Sequence, residues 1–82
     1  MTRTRDINLA DLRQDRRRDG PVDLDHVESM RLALRRGDTL PPVDVADLGD
    51  MIKLLDGYDR VRAHRLERRK TILANVIVEA TP

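Results

Sequence analysis

The sequence lacks cysteine, phenylalanine and tryptophan, and Tyr58 is its single aromatic residue among 82. Without cysteine there is no disulfide, no thiolate nucleophile and no cysteine-ligated metal site. A chain of this size without disulfides fits a reducing compartment. Without large aromatic side chains, the hydrophobic core has to be built from aliphatic residues.

Long apolar runs are also missing. No stretch approaches the ~20 apolar residues that a membrane-spanning helix needs, and residues 1–6 lead into no apolar segment of signal-peptide length. We therefore predict a cytoplasmic protein that makes no use of a membrane.

Charge of one sign is not in excess. The chain carries 14 Arg and 2 Lys against 12 Asp and 3 Glu, for a net charge of +1. This balance disfavours both a DNA mimic, which would be strongly acidic, and an indiscriminate DNA-coating protein, which would be strongly basic. The preference for arginine has two interpretations: bidentate contacts with phosphate, or the codon usage of a GC-rich genome.

The first half of the chain predicts a strand, a loop and a helix. Ile7 and Leu9 alternate with polar residues, as in a short strand. Residues 13–21 contain no apolar side chain until a Gly-Pro pair, which predicts a loop. Asp23 can cap a helix that ends near Gly37. Four apolar residues at helical spacing should share its buried face: Leu24, Val27, Met30 and Leu34.

The second half predicts a β-hairpin over 43–55, a helix over 58–69 and a strand over 71–78. Ala63 and Leu66 are expected to face the sheet, and the apolar final strand is expected to be buried on both faces. The predicted fold is a single small α+β domain over residues 1–82. Its ordered core covers about 5–79, with a small mixed sheet, two main helices and the order β-α-β-β-α-β.

The residues that follow the hairpin carry the clearest chemical signal. The second hairpin strand runs into Gly57, and a helix begins at once. Glycine permits a close backbone approach, and the unpaired N–H groups at a helix N-terminus attract anions. Arg60 and Arg62 can add charge-assisted hydrogen bonds. This pattern is compatible with a phosphate site, but the spacing alone favours an ordinary turn before a solvated basic helix.

This segment resembles the Gly-Glu-Arg-Arg-x-Arg-Ala box of the ParB/sulfiredoxin superfamily. Gly57, Arg60, Arg62 and Ala63 match the ParB pattern, and Asp56 with Gly57 and Arg60 matches the Asp-Gly-x-His-Arg turn of its small relatives. The resemblance extends over most of the chain. It includes residues 7–12 as the opening strand, the Leu-Pro-Pro-Val-Asp-Val run at 40–45, and the Lys-Thr-Ile-Leu-Ala-Asn-Val run at 70–76.

The resemblance implies a nucleotide-binding fold, since ParB proteins bind and hydrolyse CTP and sulfiredoxin uses ATP. Carried over, Gly57, Arg60 and Arg62 would contact phosphates, and Arg16 would cover the nucleotide from the first loop. Asp59 replaces the histidine of the relatives' turn. It could hold Mg²⁺, or simply be an acid that favours the helix dipole. The catalytic cysteine of sulfiredoxin is missing, and no residues remain for the DNA-reading and dimerisation domains of ParB.

Other polar groups have a functional and an ordinary interpretation. The Arg16–Arg18 run could clamp phosphates or be a solvated loop. His64 could act as a general base, but a surface histidine is expected, and neither it nor His26 forms a metal motif. Four acidic residues surround the hairpin, where they could bind a divalent cation but are expected to form turns: Asp44, Asp47, Asp50 and Asp56.

The favoured function is a ParB-like phosphate-, nucleotide- or nucleic-acid-binding module rather than an enzyme. One alternative is a small regulatory or inhibitory protein, bacterial or phage-encoded, that binds a partner protein. Another is a minimal nuclease or nucleotide hydrolase that uses Asp56, Asp59 and Arg60 around Mg²⁺. No cofactor is required by the sequence, and a nucleotide with Mg²⁺ is the candidate ligand. We also expect a protein partner, and pairing of two copies through a sheet edge.

Overall fold

The computed structural model describes residues 3–14 and 23–79. Between Arg3–Asn8 (β1) and Leu12–Arg13 (β2) lies a single 3₁₀ turn. Neither of the two helices in these residues is long and apolar enough to cross a membrane. The remaining elements are Leu24–Arg35 (α1), Val43–Asp47 (β3), Ile52–Asp56 (β4), Tyr58–Leu66 (α2) and Thr71–Glu79 (β5).

The strands form one mixed five-stranded sheet in the order β1-β5-β3-β4-β2. β5 pairs antiparallel with β1 and parallel with β3, and β3 and β4 form the predicted antiparallel hairpin. The mixed sheet with two helices confirms the predicted fold class. β2 was not expected, because a two-residue strand, paired parallel with β4, leaves no periodic pattern in the sequence.

The core is aliphatic, as the composition predicts. In the centre of the sheet Val43 pairs with Ala74, and Val45 pairs with Val76 and Leu54. All five are at most 4% exposed. α2 covers this face of the sheet through the fully buried Val61.

α1 begins where the sequence predicts, since the Asp23 carboxylate accepts a hydrogen bond of 3.1 Å from the N–H of His26. Its buried residues Val27 and Leu34 pack on Ala63 of α2, not on the sheet. Leu24 is 68% exposed, so its predicted place on the buried face is wrong. The reason is position: Leu24 is the first residue of α1, ahead of the part that contacts α2.

α2 is shorter than predicted and ends at Leu66 instead of near residue 69. The chain leaves the helix through Arg68, whose φ of 56° is left-handed and stops further helical hydrogen bonding. Leu66 is 47% exposed, so the expectation that it faces the sheet is wrong. Ala63 contacts α1, and Val61 takes the place facing the sheet.

β5 is buried on one face, not on both. Ile72, Ala74 and Val76 are buried, whereas the alternate residues are only partly covered. At the end of the strand Ile77 is 49% exposed and Val78 is 48% exposed. Alternate residues of a strand face opposite sides of the sheet, and Ile72, Ala74 and Val76 are those that face the core.

Candidate functional site

The predicted junction between strand and helix is present. β4 ends at Asp56, Gly57 has φ 104° and ψ 30°, and α2 begins at Tyr58. A Cβ atom on Gly57 would lie 2.5 Å from Cγ1 of Val43 and 2.8 Å from its Cβ. Gly57 is therefore needed twice, for its positive φ and for its close approach to a fully buried valine.

The first turn of α2 presents free backbone donors. Within the described part of the chain no side chain caps the helix, and the first intrahelical bond runs from the N–H of Val61 to the carbonyl of Gly57 at 3.1 Å. The N–H groups of Tyr58, Asp59 and Arg60 consequently have no acceptor within the helix. They lie at the positive end of the helix dipole, which is the arrangement that the sequence predicts.

The Arg60 guanidinium is held against the backbone. Its Nη1 donates to the carbonyl of Pro42 at 2.6 Å and to that of Pro41 at 3.3 Å. The side chain therefore ties the first turn of α2 to the segment that enters β3. Both hydrogen bonds are donated by Nη1, so the N–H groups on Nη2 and Nε of Arg60 do not bind Pro41 or Pro42.

The other predicted site residues are distributed around this turn. Arg62 is exposed, and because residues two apart on a helix face different sides, it is not brought together with Arg60. Asp59 is partly buried in the first turn, where an acid favours the helix dipole. Arg16 lies outside the described residues, as do Arg17 and Arg18.

His64 is not the surface residue that the sequence suggested. The residue is 9% exposed, and its Nδ1 lies 2.6 Å from the carbonyl oxygen of Arg60. Burial lowers the pKa of His64 and the charge of Arg69 lowers it further, while the hydrogen bond to Arg60 acts in the opposite direction. The neutral ring therefore belongs to the packing of α2, one turn after Arg60.

Two of the four acidic residues around the hairpin have partners of their own. Asp47 accepts a hydrogen bond of 3.0 Å from the N–H of Gly49. It also forms an ion pair with Arg5 at 2.6 Å. The turn-forming role expected for Asp47 is thus confirmed. Asp44 accepts from the amide of Asn75 at 3.3 Å. Within residues 3–14 and 23–79, no three His, Cys, Asp or Glu side chains are grouped so as to hold a metal ion.

Two further arrangements were not predicted. Glu67 accepts hydrogen bonds from Arg31 at 2.9 Å and from Arg35 at 2.6 Å, which joins the end of α2 to α1. These arginines lower the pKa of Glu67. The second arrangement is a basic hollow at the C-terminal end of α2, which includes Arg65 and Arg69. The run Arg-Leu-Glu-Arg-Arg-Lys at 65–70 was its sequence signal, but only the fold shows where these side chains lie.

The fold and the junction together define the class of this protein. It is a small mixed-sheet domain in which a single glycine connects a strand of the sheet to a helix whose N-terminus that glycine does not cap with a side chain. The chain belongs to the ParB N-terminal domain family, whose model matches residues 1–82. Among curated protein sequences there is no significant match.

Solved structures share this fold at low sequence identity. Sulfiredoxin from Arabidopsis thaliana superposes with a TM-score of 0.82 and 20% identity, over 93% of this chain and 85% of that one. The C-terminally truncated chromosome-partitioning protein ParB from Caulobacter crescentus, complexed with CTP-γ-S, gives a TM-score of 0.74 and 19% identity over 92% of this chain. A Pnob8-like ParB-N domain gives a TM-score of 0.68 and 19% identity over 95% of this chain. The chain spans only 44% and 30% of these two ParB structures.

Proposed function

We propose that this chain is a ParB-like module that binds the phosphate groups of a nucleotide at the N-terminus of α2. The observation that carries the proposal is the Gly57 junction, which leaves the first amides of α2 without a capping side chain in a member of the ParB N-terminal domain family. CTP is the first ligand to test, because the Caulobacter neighbour is complexed with CTP-γ-S.

The chemistry of the junction supports a phosphate ligand. Free N–H groups and the helix dipole favour an anion at this end. Since Gly57 has no side chain, a phosphate can approach the backbone directly. The N–H groups of Arg60 that are not bonded to Pro41 and Pro42 would supply charge-assisted hydrogen bonds.

Asp59 is proposed to meet the phosphates through Mg²⁺. Mg²⁺ is commonly held by one or two carboxylates together with the phosphates of the substrate, and not by a cage made only of protein ligands. A single carboxylate in the first turn of α2 fits that mode of binding. Without the metal, Asp59 would repel the phosphate group.

Isothermal titration calorimetry with CTP, ATP and pyrophosphate, each with and without Mg²⁺, tests the proposal. We expect binding that weakens about tenfold or more in Arg60→Gln, with the fold verified by circular dichroism, since one hydrogen bond to a charged group contributes roughly 1.5–3 kcal/mol. Arg36→Gln is the matched control, because Arg36 is exposed and, among residues 3–14 and 23–79, its ion-pair partner is Asp38. In amide NMR spectra the N–H signals of Tyr58 and Asp59 should shift. Folded protein that shows neither heat nor shifts would exclude the nucleotide site.

Turnover is tested separately. We expect binding without hydrolysis, so phosphate-release and plasmid-nicking assays with Mg²⁺ should give background rates. Activity that disappears in Arg60→Ala, with the fold verified by circular dichroism, would instead establish the minimal nuclease or hydrolase alternative.

A protein-binding role is the second candidate, and the end of β5 supports it. Ile77 and Val78, near the end of β5, are about half exposed. Exposed apolar residues on a strand are typical of protein contacts. Sedimentation equilibrium at increasing concentration tests pairing of two copies, with Ile77→Lys as the variant that should keep the chain monomeric.

A further inference from the structure

The segment 60–70 carries a concentrated positive charge. It contains six of the 16 basic residues of the chain but only one of the 15 acidic residues, Glu67. Glu67 turns away toward α1, where it pairs with Arg31 and Arg35 and has a side chain that is 10% exposed. The only local carboxylate is therefore occupied by arginines of another helix, and the basic residues of this segment have no acid of their own.

Five of these residues lie on the exposed side of α2 or just beyond its C-terminal end, and together we call them the basic strip. All five are exposed: Arg62, Arg65, Arg68, Arg69 and Lys70. Among residues 3–14 and 23–79, no carboxylate lies within ion-pair distance of any of them. On a protein with a net charge of +1, this is a strong local asymmetry.

The C-terminal half of the basic strip borders an open hollow of about 580 Å³. Arg65, Arg69 and Lys70 line it together with the backbone turn at 8–10, and no acidic residue lines it. The two arginines are held in place by the backbone. Arg65 donates to the carbonyl of Leu9 at 3.3 Å, and Arg69 donates to that of Leu34 at 2.6 Å. The Arg65 guanidinium is thus held at the hollow, whose lining includes Leu9. Leu34 belongs to the lining of a neighbouring hollow, which Arg69 also borders and which contains Asp6 and Asp38.

Arg68 occupies a position where glycine is normally preferred. Both helices end in the same motif, in which the first residue beyond the C-cap is left-handed. In α1 this residue is Gly37, with φ 89°, and in α2 it is Arg68, with φ 56°. A non-glycine residue in the left-handed region is disfavoured. Glycine at position 68 would be less strained, but it would remove one cation from the basic strip.

We propose that the basic strip binds the phosphodiester backbone of duplex nucleic acid without reading its sequence. Arginine forks match phosphate geometry, and a row of cations without intervening acids suits a regular polyanion. Single-stranded nucleic acid is normally held by bases stacked on aromatic side chains. The only aromatic residue here, Tyr58, is partly buried against the core. The strip therefore fits a duplex, whose bases stay stacked.

This surface is independent of the nucleotide site proposed above. The hollow lies at the C-terminal end of α2, whereas the Gly57 amides lie at its N-terminal end. Arg62 lies on the exposed side of α2 and belongs to the basic strip. Arg68 belongs to the basic strip alone, and its substitution separates the two.

Fluorescence anisotropy with a labelled 20-base-pair DNA duplex, an RNA duplex of the same sequence and a single strand tests the inference. We expect a Kd of about 10⁻⁴–10⁻⁶ M for a duplex at physiological salt, independent of sequence. Up to five phosphate contacts predict a slope of log affinity against log salt as steep as about −4.5. The DNA and RNA arms show which duplex is preferred. Equal or tighter binding of the single strand would overturn the proposal.

The decisive variant is Arg68→Gly. It should raise the thermal midpoint, because glycine tolerates the left-handed region. It should also weaken duplex binding several-fold and make the slope of log affinity against log salt shallower by about one unit. Gain of stability with loss of binding cannot arise from damage to the fold. Arg36→Gln removes a charge elsewhere and should retain the affinity. If Arg68→Gly leaves binding unchanged, if Arg36→Gln weakens it equally, or if anionic vesicles bind and the duplex does not, the proposal is wrong.

Discussion

Substitution of Gly57 by alanine should destabilise the fold by about 2–5 kcal/mol. A left-handed φ costs a residue with a Cβ about 1–2 kcal/mol, and Gly57 has φ 104°. The new methyl group would lie 2.5 Å from Cγ1 of Val43, a residue that is fully buried and cannot move aside. Overpacking of this kind costs about 1–3 kcal/mol more.

The magnitude is large for a domain of 82 residues, whose total stability is expected to be about 4–12 kcal/mol. Urea unfolding followed by circular dichroism at 222 nm measures the effect as a shift of the midpoint at constant slope. Gly37→Ala is the matched control, since Gly37 also has a positive φ of 89° but no heavy atom within 4 Å of an added Cβ. It should lose only the backbone part. Equal losses in the two variants would refute the packing argument at Val43.

Three further predictions concern the core and the two groups with shifted pKa values. Leu54→Ala should cost about 2–5 kcal/mol by urea unfolding, because Leu54 is 1% exposed, whereas Leu66→Ala at a 47% exposed position should cost far less. Because the pKa of Glu67 is lowered from 4.5 in the folded state, its contribution to stability is complete above pH 4.5 and is lost as the pH falls through the folded pKa. Glu67→Gln should remove this part of the acid dependence in urea midpoints, and an unchanged profile would contradict the ion-pair role. The pKa of His64 is also lowered, so NMR titration should place it below 6.5, with stability declining as the pH falls below that value; a value above 6.5 would contradict the buried placement.

Local signals in the sequence account for most of the fold. The capping Asp23, the turn around Gly49 and the corner at Gly57 each act through the backbone of their own neighbourhood, so their effects can be predicted without knowledge of the tertiary structure. The hairpin and the junction between strand and helix are found where these signals place them. The family resemblance supported the same element order.

Side-chain environments depend on tertiary packing and were predicted less well. Leu66 was expected to face the sheet because it lies one turn after Ala63. However, α2 packs between the sheet and α1, so its buried surface includes Val61, which faces the sheet, and Ala63, which faces α1, but not Leu66. His64 falls within that covered side and is buried for the same reason. The apolar run at 71–78 does not show which face of β5 is covered, so the exposure of Ile77 could not be predicted from it.

The basic strip shows the same division between sequence and structure. The run at 65–70 is visible in the sequence, but its single acid, Glu67, appears there to neutralise its neighbours. Only the packing of the helices reveals that Glu67 binds arginines of α1 instead. The surface charge of this segment could therefore not be obtained by counting residues along the chain.

The order of attachment among the elements has a consequence for dynamics. The sheet holds α2 through Val61, and α2 in turn holds α1 through Ala63 and Glu67. α1 should then detach as a cooperative unit while the sheet and α2 remain folded. Its amide protons would exchange with solvent through this partial opening, faster than those of β3 and β5, whose release requires unfolding of the whole domain.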